Sequence, residues 1–262
     1  MELFYTQIGE HIIHLICQSE ALMGIMHKNF PAADPIVSSK PDLIIYIKEG
    51  YGIPFVDYYV EITKEVDSVS FRRADYLIET ELDYRYAVIS VNNELALKHA
   101  LMNMYSSYVV HHKWGLLIHS SCVMDKGRAY LFAGHSGAGK STAAKLSMPR
   151  NLLSDEATVV KITPDKVTIF NSPFRSELDR TTGAEENSPL AGIYLLNQAA
   201  DNHIVPLSKS SGFLHLMDKV FYWSHSPEEI RDILQLLQQL VNSVSICELH
   251  FQKNDTFWEL IS

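Results

Sequence analysis

Residues Gly134-His135-Ser136-Gly137-Ala138-Gly139-Lys140-Ser141 satisfy the pattern GxxxxGK[ST], with Thr142 directly behind. Glycines in such a run let the backbone turn tightly, so that consecutive N–H groups converge on phosphate oxygens, and a helix start behind them adds the positive end of its dipole. The lysine after the last glycine bridges the β- and γ-phosphates, and the next hydroxyl holds Mg²⁺. Those places are taken by Lys140 and Ser141. The pattern carries this meaning only when it follows a strand and opens a helix. Both are expected: the apolar run Ala129-Tyr130-Leu131-Phe132-Ala133 stands in front, and a helical stretch from Ser141 to Met148, stopped by Pro149, stands behind. Gly134 through Thr142 are therefore expected to bind a nucleoside phosphate with Mg²⁺. The plain alternative is a glycine-rich turn without a ligand.

Downstream, Leu152-Leu153-Ser154 leads into Asp155-Glu156 at an expected strand end. One carboxylate can hold Mg²⁺, directly or through water, while the other accepts or orients the proton of an attacking hydroxyl. Neighbouring side chains on an extended strand face opposite ways, so both serve one site only if the chain bends or the two roles use different faces. Two solvated acids would be the ordinary reading without the loop upstream. His119 closes the run Leu116-Leu117-Ile118; a strand-end histidine is commonly a surface or core residue, and a catalytic role is the sharper alternative. Arg175 and Arg180 are candidates to grip a carboxylate or a transferring phosphoryl group, beside the plain reading of solvated arginines. The His111-His112 pair lacks acidic or cysteine partners at metal spacing, so no zinc site is expected.

Two parts must position these residues. Residues 1–91 read as a small α+β domain: Glu2 to Cys17 strand-like, Glu20 to Phe30 helical, Leu43 to Ile47 a strand, and further strands at Tyr58 to Ile62, Ser68 to Arg72, Asp75 to Glu79 and Tyr86 to Val91, in a mostly antiparallel sheet. Residues 92–113 read as a connecting helix, capped by Asn92 or Asn93, with Leu97, Leu101, Met104, Tyr105 and Tyr108 on one face. Residues 114–262 form the second part: a hairpin turning at Asp125 to Arg128, the glycine-rich loop and its helix, a strand-like stretch from Asn151 to Ile162, a return at Val167 to Asn171, a polar stretch over 171–190, and a buried strand at Ala191 to Leu196. Ser226-Pro227-Glu228-Glu229 combines an N-cap, a proline at the first helical position and a reach-back carboxylate, opening an amphipathic helix.

A net charge of −9 argues against a nucleic-acid partner, which demands clustered Lys and Arg. The 3 cysteines, Cys17, Cys122 and Cys247, have no metal-ligand spacing and are expected to be reduced, in the cytoplasm. The segment MELFYTQIGEHIIHLI has no basic region or cleavage site, and no apolar run is long enough to span a bilayer, so neither export nor a membrane partner is expected.

His119, the loop GHSGAGKS at 134–141 and the acidic pair at 155–156, in this order, resemble the catalytic domain of HPr kinase/phosphorylase over roughly residues 114–198. The resemblance implies an α/β fold with a mixed sheet and flanking helices around the phosphate loop. It also implies ATP and Mg²⁺ as cofactors and transfer of the γ-phosphoryl group to a serine hydroxyl, with Asp155 as general base, Glu156 and Ser141 near Mg²⁺, and His119 close to the reacting phosphate. The family's Glu-Ile-Arg-Gly signature is reduced to the glycine of Pro189-Leu190-Ala191-Gly192. That departure resembles the short relatives found with ribosomal-peptide maturation, including lasso peptide kinases that phosphorylate a C-terminal serine of a precursor peptide. The expected partner is a peptide or small protein, with a homo-oligomer left open. Two alternatives use the same loop: a small-molecule hydroxyl kinase, and a nucleotide-dependent binding module without phosphoryl transfer.

Overall fold

The computed structural model describes residues 2–33, 40–176 and 187–262, a mixed α/β chain divided into two units. The first comprises Met1–His112 and Tyr222–Glu229, the second Lys113–Phe221 and Ile230–Ser262.

In the first unit the stretch read as one strand-like segment is a hairpin, β1 (Glu2–Ile8) and β2 (His11–Cys17), turning at Gly9 with φ 61°. After α1 (Glu20–Asn29) come β3 (Leu43–Glu49), β4 (Glu61–Lys64), β5 (Ser68–Arg73), β6 (Tyr76–Glu81) and β7 (Tyr86–Val91). The sheet order is β1-β2-β3-β7-β6-β5-β4. Its outer ladders are antiparallel, as expected, but β2–β3 and β3–β7 are parallel. Helix α2 (Glu94–His111) is capped by Asn93, whose side chain accepts from the Ala96 N–H at 3.0 Å. Its expected apolar stripe is buried, but so is every residue from Ala100 to Val110. A helix buried around its circumference is a core element. It packs on β6 and β7 inside the first unit, which corrects its reading as a connector over 92–113.

The same unit reclaims Tyr222–Glu229 from the stretch assigned whole to the second part. The Tyr84 hydroxyl donates to Glu229 Oε1 at 2.9 Å and lies 2.8 Å from His225 Nε2. Ser226 caps the helix that follows, its hydroxyl accepting from the Glu229 N–H at 3.3 Å, while Glu229 Oε2 reaches back to the His225 N–H at 3.1 Å.

The second unit starts with β8 (Gly115–Asp125) and β9 (Arg128–Ala133), then α3 (Lys140–Leu146). The stretch from Asn151 to Ile162 is two strands, β10 (Asn151–Ser154) and β11 (Ala157–Ile162), broken at Asp155-Glu156. Next come β12 (Val167–Phe170), β13 (Asn187–Gln198), β14 (His203–Pro206), α4 (Lys209–Met217), α5 (Pro227–Ser243), β15 (Ser245–Phe251) and α6 (Trp258–Ile261). Long β8 pairs antiparallel with β9, β10 and β11, while β9, β13 and β15 run parallel. Parallel strands place their C-terminal ends together, and ligands in such sheets bind outside those ends. The glycine-rich loop leaves the C-terminal end of β9.

Phe132, Leu196, Phe251, Phe257 and Trp258 form the apolar floor under that loop. Full burial of each large side chain contributes about 1.5–3 kcal/mol. The Trp258 indole N–H donates to Ser147 Oγ at 3.0 Å and its ring carries the Arg150 guanidinium at 4.1 Å, tying α6 to the end of α3. Among the described residues no helix is long and apolar enough to cross a membrane.

Candidate functional site

The loop is shaped by two glycines in the left-handed region, Gly137 at φ 80° and Gly139 at φ 109°. Side chains rarely adopt these values. The loop closes on itself through the Ala138 N–H, which donates to the His135 carbonyl at 3.1 Å, and α3 begins with Ala143 N–H bonded to the Gly139 carbonyl at 2.8 Å. The Ser121 hydroxyl of β8 donates to the Lys140 carbonyl at 3.0 Å, fixing the start of the helix from the neighbouring strand. Lys140 curls over the loop, its ammonium donating to the carbonyls of Gly134 at 3.1 Å and His135 at 3.3 Å.

Beyond the loop lies a cavity of about 360 Å³ lined by Ser136, Gly137, Gly139, Lys140, Ser141 and Thr142, and also by His119, Asp155, Glu156, Ser176 and Gln198. Residues read separately from sequence thus converge on one space. Gly134 and His135 instead line an adjoining cavity of about 290 Å³ with Asp218, Lys219 and Glu248, and Ala138 is buried beneath the loop.

The break between β10 and β11 is what lets two consecutive acids reach the same cavity. It is pinned from β8: the Ser120 N–H donates to the Glu156 carbonyl at 3.1 Å, and Ser154 Oγ and Thr158 Oγ1 both donate to the Ser120 carbonyl, at 3.2 and 3.3 Å. Asp155 is buried, and its two oxygens accept from the N–H and hydroxyl of Ser176, at 3.1 and 2.9 Å. Glu156 is less buried and faces the cavity beside it.

His119 sits on β8 opposite Ala157, its backbone N–H bonded to the Lys219 carbonyl at 2.7 Å and its ring 5.5 Å from that of Phe221. Burial first, then the charge of Lys140, pushes the His119 imidazole below its ordinary 6.5, with Glu156 acting in the opposite sense. Burial, reinforced by Lys219 and opposed by Glu156, likewise lowers the Lys140 ammonium.

Arg175 does not face the cavity as a substrate grip. Its guanidinium donates to the carbonyls of Ser172 at 3.0 Å and Leu152 at 3.1 Å and to Asn171 Oδ1 at 2.7 Å, so it clamps its own chain against β10. Arg180 lies outside the described residues. Among the described residues no group of three His, Cys, Asp or Glu side chains could hold a metal ion. The cavity's donors are hydroxyl and carboxylate oxygens, Ser141, Asp155 and Glu156, which suits a hard cation that keeps waters and shares phosphate oxygens.

Two lining residues escaped the sequence reading. The Gln198 amide donates to the Gly137 carbonyl at 2.8 Å and braces the loop from the end of β13. An amide pair, Asn197-Gln198, ending a parallel strand was the available signal. Ser176 lies in a polar stretch without periodicity and carried no signal.

Fold and cavity together define a mixed α/β protein with a glycine-rich loop, a histidine and two carboxylates gathered at the end of a parallel strand. Within that class the chain belongs to the family described as SynChlorMet cassette protein ScmC, whose model matches residues 89–262. No curated protein matches it. Among solved structures, the Hpr(Ser) kinase/phosphatase from Coxiella burnetii is 13% identical, over 48% of this chain and 88% of that one, with a TM-score of 0.24. A likeness at that score carries no argument about this chain.

Proposed function

We propose that this chain is a kinase that uses Mg·ATP to phosphorylate a serine hydroxyl on a peptide or small protein. One observation carries the reading: a single cavity gathers Lys140 and Ser141 of the glycine-rich loop with His119 from β8 and Asp155 and Glu156 from the break between β10 and β11. A loop that only held a nucleotide as a switch needs one metal-associated acid; the second carboxylate and the histidine supply what hydroxyl chemistry adds.

Bound Mg·ATP would supply the transferable phosphoryl group and a hard cation. The chain's own residues do the rest. The N–H groups from Ser136 to Thr142 would hold its phosphate oxygens, and Lys140, now on the carbonyls of Gly134 and His135, would supply positive charge to them. Ser141 and Glu156 would offer oxygens to the cation. Asp155 receives the acceptor proton once Ser176 releases it. His119, kept neutral by burial and by Lys140, lies alongside as a hydrogen-bonding group rather than a charge. Catalysis of this kind is mainly positioning and charge neutralisation.

The family description places its members in a cassette, so the acceptors to test first are products of the same cassette. A C-terminal serine of a lasso-type precursor is the finer form of the proposal. Incubation with Mg·ATP and such a product, followed by intact mass spectrometry, is expected to show a phosphoryl adduct at a serine, lost with K140A. Nucleotide binding without any adduct on the products tried, or transfer only to a free small hydroxyl compound, would refute the peptide-kinase reading.

A further inference from the structure

Ser176 stands where an acceptor hydroxyl would have to stand. Its Oγ donates to Asp155 Oδ2 at 2.9 Å, and its backbone N–H donates to the other carboxylate oxygen at 3.1 Å. A hydroxyl held this way already directs its proton at the carboxylate assigned to receive it. That is the ground-state geometry general-base transfer requires. Ser176 lines the same cavity as Lys140 and Ser141, and its residue is exposed.

The segment that delivers it is anchored. Phe174 is buried, the Ser172 N–H donates to the Leu153 carbonyl at 2.9 Å, and the Phe174 N–H donates to Ser172 Oγ at 3.2 Å. The Arg175 guanidinium then ties Asn171, Ser172 and Leu152 together one residue before the serine. Preorganisation of this degree places a reacting group without further loss of entropy at the moment of reaction.

We propose that Ser176 is phosphorylated by the chain's own site, in cis. The inference rests on the kinase reading above. A bond forms between Ser176 Oγ and the γ-phosphorus while the bond from that phosphorus to the β–γ bridging oxygen breaks. The bridging oxygen leaves as part of ADP, and the hydroxyl proton passes to Asp155. Once Asp155 has passed that proton on to solvent, the product dianion faces the carboxylates of Asp155 and Glu156, so like-charge repulsion drives residue 176 away from them and uncovers Asp155 for an external hydroxyl.

The full chain is incubated with Mg·ATP alone, its intact mass followed, the adduct located by fragmentation, and Mg·ATP binding measured in parallel by calorimetry. One phosphoryl group per chain on Ser176 is expected, absent from S176A, retained at position 176 in S176T, and formed at least about a hundred-fold more slowly in K140A. The rate is independent of protein concentration, and K140A mixed with the wild-type chain stays unmodified. A chain that binds Mg·ATP, or phosphorylates another acceptor, without an adduct at Ser176 overturns this inference and leaves the kinase reading standing. So does an adduct that persists in S176A, or one transferred to K140A in the mixture. A wild-type chain that does not bind Mg·ATP overturns both.

Discussion

The ring of Phe251 closes on Gly139: a side-chain carbon added at Gly139 would stand 2.8 Å from Phe251 Cζ. Phe251 is 4% exposed and belongs to the apolar floor, so it cannot swing into solvent. Gly139 also holds φ 109°. G139A therefore meets both backbone strain and a packing clash. An unfavourable backbone region alone costs about 1–3 kcal/mol. The expected outcome is a lower urea midpoint and loss of Mg·ATP binding by calorimetry. Unchanged affinity would show that the loop works in another conformation.

Asp155 and Lys140 should separate in their effects. D155N keeps the shape of the side chain but removes the group that accepts the hydroxyl proton, and general acid–base catalysis contributes about a hundred- to ten-thousand-fold in rate. Transfer is expected to fall by that order while ADP affinity changes little, whereas K140A loses both. Near-normal transfer by D155N would move the base to Glu156, and E156Q would then show the loss.

Stability should fall with acid from a defined point. His14, His112, His119 and His225 are each pushed below 6.5, with burial the first cause in every case. The unfolded chain then takes up protons before the folded one as pH drops through 6.5, so stability is retained above that value and lost progressively below it. Urea midpoints measured from about pH 8 to about pH 5 test this, with a flat region above the ordinary histidine value and a decline beneath it. H119Q should shallow the decline. A midpoint that rises with acid contradicts the assignment.

In the first unit, Arg73 and Asp75 form a fork, with Nε to Oδ1 at 2.6 Å and Nη2 to Oδ2 at 2.9 Å, and side chains 2% and 0% exposed. The guanidinium also lies 4.4 Å from the Tyr76 ring. Removing one partner of a buried pair leaves an uncompensated charge and costs about 3–5 kcal/mol. D75N is expected to destabilise the first unit on that scale. An exposed pair such as Lys28–Glu94 should cost under about 1 kcal/mol when broken. Equal losses from the two would refute the contrast.

What the sequence made legible follows from how local each signal is. The loop from Gly134 to Ser141 and the acids at 155–156 are patterns of neighbours a few residues apart, and Ser136, Gly137, Gly139, Lys140, Ser141, Asp155 and Glu156 of them line one cavity. The helix opening at Ser226-Pro227 was legible too, because a cap is a local hydrogen bond. The bend that brings Asp155 and Glu156 into one cavity is imposed from β8 through Ser120, a contact no local pattern encodes. Arg175 reads as an available cation until the chain folds and its guanidinium meets the carbonyls of Leu152 and Ser172. The role of α2 was misjudged because Met, Tyr and Ser around its whole circumference hide how thoroughly it is buried.

Tyr84 and Glu229 are bonded to each other yet separated by the whole of β8 to α4 in the chain. During synthesis the first seven strands and α2 emerge well before Tyr222–Glu229, so the first unit leaves the ribosome with the Tyr84 hydroxyl lacking its carboxylate. It closes only after the glycine-rich loop and strands β8 to β14 have been made. A gene fragment cut after His112 would therefore not encode the whole of this unit, whose last segment is made in the midst of the second.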